Sequence, residues 1–328
     1  MRRARRVTQG GASARKGSGT FAETRVETMK VGVIGLGSMG LGMARSLAAA
    51  GLAPKGYDLS SDALEKLVEA GGSPAASAAE AAEDADALVV VVVNAAQTQA
   101  ILFGDGGAAS RLKRGAVILS CATMAPADAR RLAGLADAMG LLYLDAPISG
   151  GATKASLGQL TVMASGSPGA FARAEPLLAA MATTVHRLGD EAGLGASYKM
   201  VNQLLAGVHI AAACEAMTFA AKLGLDLATV YKVITGSAGN SWMFENRAPH
   251  IVEGDYFPRS AVDIFTKDLG IVSDMGRQEK FPLHLSTSAL QMFIATAAAG
   301  MGRDDDSSVA RMLAQLTGVT LPSPSEES

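Results

Sequence analysis

Cysteine is nearly absent. Cys121 and Cys214 are the only two in 328 residues, far apart and each in an apolar run. They suit buried, reduced thiols better than a disulfide framework, which points to a cytoplasmic setting. Histidine is sparse too: His186, His209, His250 and His284 show no metal-ligand spacing, so no metal is expected. Aromatic residues make up 5%, and 29 basic residues nearly cancel 31 acidic ones to leave a net charge of −2. That balance gives no general attraction to nucleic acid or to an anionic membrane. No stretch combines the length and the lack of charge of a membrane span. The longest apolar run, 204–221, contains His209 and Glu215 and reads as a core helix.

What is present is material for ordinary cores, 49% hydrophobic against 18% charged, at a length that accommodates two domains. Residues 1–28 differ in kind, with Arg2, Arg3, Arg5, Arg6, Arg15, Lys16 and Arg25 against Glu23 and Glu27. They lack the apolar segment of a secretory signal and are expected to be a disordered basic extension, with Met29 as the functional start.

The run from Lys30 to Gly40 places Gly35, Gly37 and Gly40 in G-x-G-x-x-G spacing between an apolar strand and a helical stretch. The first glycine permits the tight turn, the second lets the backbone approach a pyrophosphate, and the third lets helix and strand pack closely. Backbone N–H groups around Leu36, Ser38 and Met39 would face the phosphates at the positive end of the helix. About 20 residues on, Asp58 ends a second strand, where a carboxylate accepts from ribose hydroxyls and repels a 2′-phosphate. No arginine follows it in Leu59-Ser60-Ser61-Asp62, so NAD is the expected cofactor.

Strand and helix patterns then alternate. Strands are expected at 31–34, 55–59, 87–93, 116–120 and 142–145, with helices between them and a turn at 71–74. This implies right-handed crossovers and a doubly wound, Rossmann-type parallel sheet. Asn94, Thr123 and the 147–151 segment should face one crevice beyond the carboxyl ends of the strands. Strands at 160–165 and 186–188, around a helix at 168–181, are expected to extend the sheet. Beyond residue 189 the pattern is helical, at 197–223, 228–237, 264–278, 282–299 and 309–317. The fold class is therefore α/β with a C-terminal all-helical domain. The expected divisions are a NAD-binding domain at 29–192, a helical substrate and dimerisation domain at 193–318, and a disordered tail at 319–328.

In Gly195-Ala-Ser-Tyr-Lys-Met-Val-Asn-Gln203, the side chains of Lys199, Asn202 and Gln203 stand at i, i+3 and i+4 and share one helix face. Ala206 and Ile210 continue that face as apolar, so the lysine is not part of a solvated stripe. A buried lysine is costly as an ammonium and suited to proton transfer as an amine.

These segments, together with Asp145-Ala-Pro-Ile-Ser-Gly-Gly151 and Lys267-Asp-Leu-Gly270, resemble the 3-hydroxyisobutyrate dehydrogenase-type β-hydroxyacid dehydrogenases from Met29 to about Leu316. Val93-Asn94-Ala-Ala-Gln97, 199–209 and 237–247 resemble the branch acting on L-threonate. The resemblance implies Lys199 as the catalytic residue, with Ser149, Gly150 and Gly151 holding the substrate carboxylate and Asn202 steadying the substrate. Thr123 and Lys267 would lie near the nicotinamide, and Asn94 would join the cofactor site. Gln203 departs from the second asparagine of many relatives. The polar residues Asn240, Ser241, Glu245, Asn246 and Arg247 around Trp242 and Phe244 match a polyhydroxylated chain, so Asn240 and Arg247 are expected to bind substrate. The implied reaction is oxidation of L-threonate to 2-dehydro-L-erythronate. Alternatives are 3-hydroxyisobutyrate oxidation, interconversion of glycerate with tartronate semialdehyde, or a non-catalytic NAD-binding module. The Ala-rich helices suggest a homo-oligomer.

Overall fold

The computed structural model describes residues 29–323. The expectations for 1–28 and 324–328 lie outside the described residues.

The N-terminal domain is a Rossmann-type sheet. Its strands are β1 (Val31–Ile34), β2 (Lys55–Tyr57), β3 (Ser73–Pro74), β4 (Ala87–Val90), β5 (Val117–Ser120) and β6 (Leu142–Asp145). All are parallel, in the order β3-β2-β1-β4-β5-β6. Between them run α1 (Ser38–Ala49), α2 (Ser61–Glu69), α3 (Ala78–Ala81), α4 (Ala95–Phe103) and α5 (Pro126–Ala138). Strand residues alternate between two apolar layers. Val33, Val89 and Leu119 pack with Met43 and Leu47, while Leu88, Val90 and Ile118 pack with Leu102 and Leu132 on the other side. Chain order reverses between β1 and β4, and crevices at such switch points hold ligands.

Three expectations need correction here. The valine run leaves the sheet after Val90. Gln97 Oε1 accepts from Val93 N–H at 2.9 Å and Asn94 Oδ1 accepts from Gln97 N–H at 2.9 Å, so a reciprocal cap starts α4 where valine propensity favours more strand. The expected turn at 71–74 holds the short edge strand β3. The later strands do not extend the main sheet: β7 (Ile148–Ser149), β8 (Leu160–Ala164) and β9 (Ala182–Arg187) form a second sheet, flanked by α6 (Gly151–Ser156) and α7 (Pro168–Met181). β8 returns antiparallel to β7, and a single bridge from Asp145 to Ser165 links it to β6. Periodicity carries no information about that reversal of direction.

The C-terminal region is helical: α8 (Leu194–Lys222), α9 (Leu227–Thr235), α10 (Trp242–Glu253), α11 (Val262–Gln278), α12 (His284–Thr296) and α13 (Val309–Thr317). The expectation that no stretch is long and apolar enough to cross a bilayer fails for α8, which is, but here α10 to α13 pack around it as a core helix. Ile210, Cys214, Met217, Phe244 and Phe265 form the core, and Phe265 stacks on Phe293 at 5.2 Å. The structured part of the expected tail is not free. Leu321 packs on this core, and a Cβ at Gly254 would lie 2.6 Å from the Ser323 carbonyl carbon.

Candidate active site

The glycine turn has the shape needed to receive a pyrophosphate. Gly35 sits at φ 89°, and a Cβ there would lie 2.4 Å from Val91 O; one on Gly40 would lie 1.9 Å from Gly35 O. These two positions require glycine for the turn and for close packing of α1. Around Gly37, by contrast, a Cβ would meet nothing within 4 Å, so the backbone is bare and approachable. Gly37 caps α1 without any side-chain bond, which leaves first-turn N–H groups of α1 free for an anion. Asp58 Oδ2 accepts from Leu36 N–H at 2.6 Å and Oδ1 from Ser60 N–H at 2.9 Å, so the Leu36 N–H is taken by this carboxylate and not left for a phosphate as expected. This carboxylate is fixed at the end of β2 and keeps lone pairs for ribose hydroxyls. The residues present fit a dinucleotide.

The helical region reaches the same crevice. Lys267, on α11, donates from Nζ to Val93 O at 2.6 Å and to Thr123 O at 3.3 Å, at the carboxyl ends of β4 and β5. Lys199, on α8, is 7% exposed and donates from Nζ to Ile148 O at 2.8 Å. This contact sets the amine beside Ser149, Gly150 and Gly151, whose last two residues have φ 138° and 78°. Burial pushes the Lys199 ammonium down to about 8; nearby Asp268 opposes the shift and Lys267 adds to it. An amine so placed exchanges a proton near neutral pH. Next to it, Asn202 Nδ2 donates to Gln203 Oε1 at 2.9 Å, and Gln203 Nε2 donates to Asp268 Oδ2 at 2.5 Å. Lys267 Nζ lies 2.9 Å from Asp268 Oδ1, a charge pair without hydrogen-bond alignment.

Sequence reasoning missed the part played by Asp145. Its buried Oδ2 accepts from Gly193 N–H and Ala196 N–H, each at 2.9 Å, while Ser165 Oγ accepts from Gly195 N–H at 2.9 Å. The first turn of α8 is thus held onto β6, one turn ahead of Lys199. Burial pushes the Asp145 carboxyl up, against the pull of these donors. A Cβ at Gly195 would fall 2.4 Å from Met163 O, so glycine admits the contact. The pairing of Asp145 with glycines about fifty residues later was the available signal, but spacing alone does not say that one caps the other.

Arg247 and Asn240 are not joined to this group by any hydrogen bond or ion pair among the described residues. Arg247 is buried, donating to both oxygens of Asp306 at 2.5 and 3.0 Å. Cys214 Sγ contacts the carbonyl of the next residue, Ser307, at 3.4 Å. Cys214 is fifteen residues along α8 from Lys199, roughly 22 Å of helix. Arg247 is therefore a core ion-pair residue, which corrects the expectation that it binds substrate. Asn240 Nδ2 closes the link between α9 and α10, bonding Thr235 O at 3.2 Å and Glu245 Oε1 at 2.5 Å. The polar segment read as a substrate cluster is the capped start of α10, with Ser241 Oγ accepting from Phe244 N–H at 3.0 Å.

A protein that cradles a dinucleotide at its switch point and keeps one proton-exchanging amine nearby belongs to the class of NAD-dependent dehydrogenases. Comparison with known proteins refines this. Residues 30–189 match the NAD-binding domain of 6-phosphogluconate dehydrogenase, and residues 193–313 match the "NAD-binding of NADP-dependent 3-hydroxyisobutyrate dehydrogenase" family. L-threonate dehydrogenase of Haemophilus influenzae is 52% identical over 90% of this chain and 98% of that protein. Human mitochondrial 3-hydroxyisobutyrate dehydrogenase is 32% identical over 86% of each. A crystal structure of 3-hydroxyisobutyrate dehydrogenase from Salmonella typhimurium is 51% identical with a TM-score of 0.84, covering 87% of this chain and 99% of that one. The chain belongs to the 3-hydroxyisobutyrate dehydrogenase-related family of β-hydroxyacid dehydrogenases. It is a hydroxyacid dehydrogenase that uses NAD.

Proposed function

We propose that this enzyme oxidises L-threonate at C2 to 2-dehydro-L-erythronate, with Lys199 as the general base. The observation that carries the reading is the buried Lys199 amine, poised at about 8 and held at Ile148 O beside Ser149. When bound, NAD supplies the hydride acceptor. Lys199, in its neutral form, takes the hydroxyl proton as the carbonyl forms. The hydroxyl of Ser149 and the backbone of Gly150 and Gly151 hold the carboxylate, a compact anion nest suited to a small acid. Asn202 steadies the rest of the substrate. Gly35 to Gly40 hold the pyrophosphate of the cofactor and Asp58 its adenosine ribose, and Asn94, Thr123 and Lys267 line its nicotinamide end. Asn240 is left with a turn-closing role.

The named relatives support the substrate, since proteins sharing half of this sequence are L-threonate dehydrogenases. A second reading, 3-hydroxyisobutyrate oxidation, is favoured by the name of the equally similar Salmonella structure. Initial rates of NADH formation on L-threonate, glycerate and 3-hydroxyisobutyrate decide between them. Highest turnover on L-threonate is expected; preference for 3-hydroxyisobutyrate overturns the assignment.

The divisions at 29–192 and 193–318 belong to the same reading, as does a cytoplasmic setting. So does self-association through α8, whose Leu194, Tyr198, Val201, Leu205 and Phe219 form an exposed stripe at heptad-like spacing. Light scattering showing a monomer would exclude the oligomer.

A further inference from the structure

Asp268, Gln203 and Asn202 form a row of hydrogen bonds with only one consistent direction. The Asp268 carboxylate, facing Lys267, offers only acceptors, so Gln203 must turn its NH2 toward it. That leaves Gln203 Oε1 facing Asn202, which must present its own NH2 in turn. Reversing Asn202 would set two carbonyl oxygens face to face, and reversing Gln203 would do the same against Asp268. Gln203 is 7% exposed and Asp268 1%, so water cannot repair such a clash. Asn202 Oδ1 therefore points away from Gln203. Among the described residues none donates to it, and Asn202 is only partly buried, one turn beyond Lys199 on the same helix face.

We propose that Asp268, acting through Gln203, fixes Asn202 as an acceptor for a second substrate hydroxyl next to the one that is oxidised. Asn202 Oδ1 then rewards a hydroxyl, gains nothing from a methyl or methylene, and repels a carboxylate oxygen. The selected substrates are acids carrying a vicinal diol. Asp268 and Gln203 are positioning residues that touch no substrate atom. This inference rests on the L-threonate reading.

The test is the ratio of kcat/KM for L-threonate to that for 2,4-dihydroxybutanoate, which lacks only the 3-hydroxyl, measured on the NAD-saturated enzyme. A site built around a substrate hydroxyl discriminates strongly against its absence, so the wild-type ratio should be at least about 100. Gln203→Met, and independently the near-isosteric Asp268→Asn, should bring it below about 10, with KM for L-threonate rising more than kcat falls. Gln203→Met keeps the Asp268 charge and should leave the pH inflection of kcat unchanged. Equal losses on both acids in the variants would make the row merely structural and overturn the inference, as would a wild type that does not discriminate. Turnover of neither acid by the wild type overturns the L-threonate reading itself, and the inference falls with it.

Discussion

Lys199 Nζ donates to the carbonyl oxygen of Ile148 at 2.8 Å, joining residues 51 apart in sequence and tying the long helix α8 to the strand that leads into Ser149-Gly150-Gly151. One contact thus sets the distance between a proton acceptor and the segment assigned to the carboxylate. Lys199→Ala should lose about 100- to 10,000-fold in kcat, the range for a positioned general base, while NAD affinity stays near wild type. Stopped-flow turnover and NAD titration by fluorescence check the two halves. Near-normal turnover would exclude Lys199 as the base.

The pH dependence follows from the same amine. Only neutral Lys199 accepts a proton, so kcat for oxidation should rise with pH through one inflection near 8. A negative neighbour favours the ammonium form and a positive one disfavours it. Removing the Asp268 charge in Asp268→Asn should therefore move the inflection to lower pH, and Lys267→Met should move it higher. Shifts of the same sign in both variants would contradict this electrostatic account.

Much of the fold was legible because it depends on local patterns: the glycines between β1 and α1, and the alternation of apolar strand runs with helical runs from Val31 to Asp145. The direction of β8 was not, because it is set by long-range pairing of Thr161 and Val162 with Ser149 and Ile148. In the site, Lys199 stood out because it shares a face with Asn202 and Gln203 on an otherwise apolar helix. Arg247 misled because a polar run near aromatic residues looks the same whether it meets a ligand or a buried aspartate. Its partner, Asp306, is 59 residues away and no local pattern announces it.

Asp145 ties catalysis to stability. Asp145→Ala leaves the N–H groups of Gly193 and Ala196 without their acceptor at a buried helix start. A cost of about 3 kcal/mol is expected from unsatisfied buried donors. Asp145→Asn retains a carbonyl acceptor and should recover most of it. Urea unfolding measures both. Because the capped turn immediately precedes Lys199, the alanine variant should also lose kcat more than it raises KM for NAD. Unchanged kcat would mean that α8 keeps its place without this cap.

The three glycines of the cradle should respond differently to alanine, since only one of them leaves room for a methyl group. At Gly40 a Cβ would fall 1.9 Å from Gly35 O, and at Gly35 the φ of 89° and Val91 O both oppose a side chain. Alanine at either position should destabilise the fold by 1 kcal/mol or more, read as a lower urea midpoint. At Gly37 nothing lies within 4 Å, so Gly37→Ala should unfold like wild type. Its new methyl group would instead occupy the surface assigned to the pyrophosphate, weakening NAD binding about tenfold or more with little change in turnover at saturating NAD. Calorimetric titration of folded Gly37→Ala with NAD isolates that effect from stability. Wild-type affinity there would mean that the pyrophosphate does not pass over Gly37.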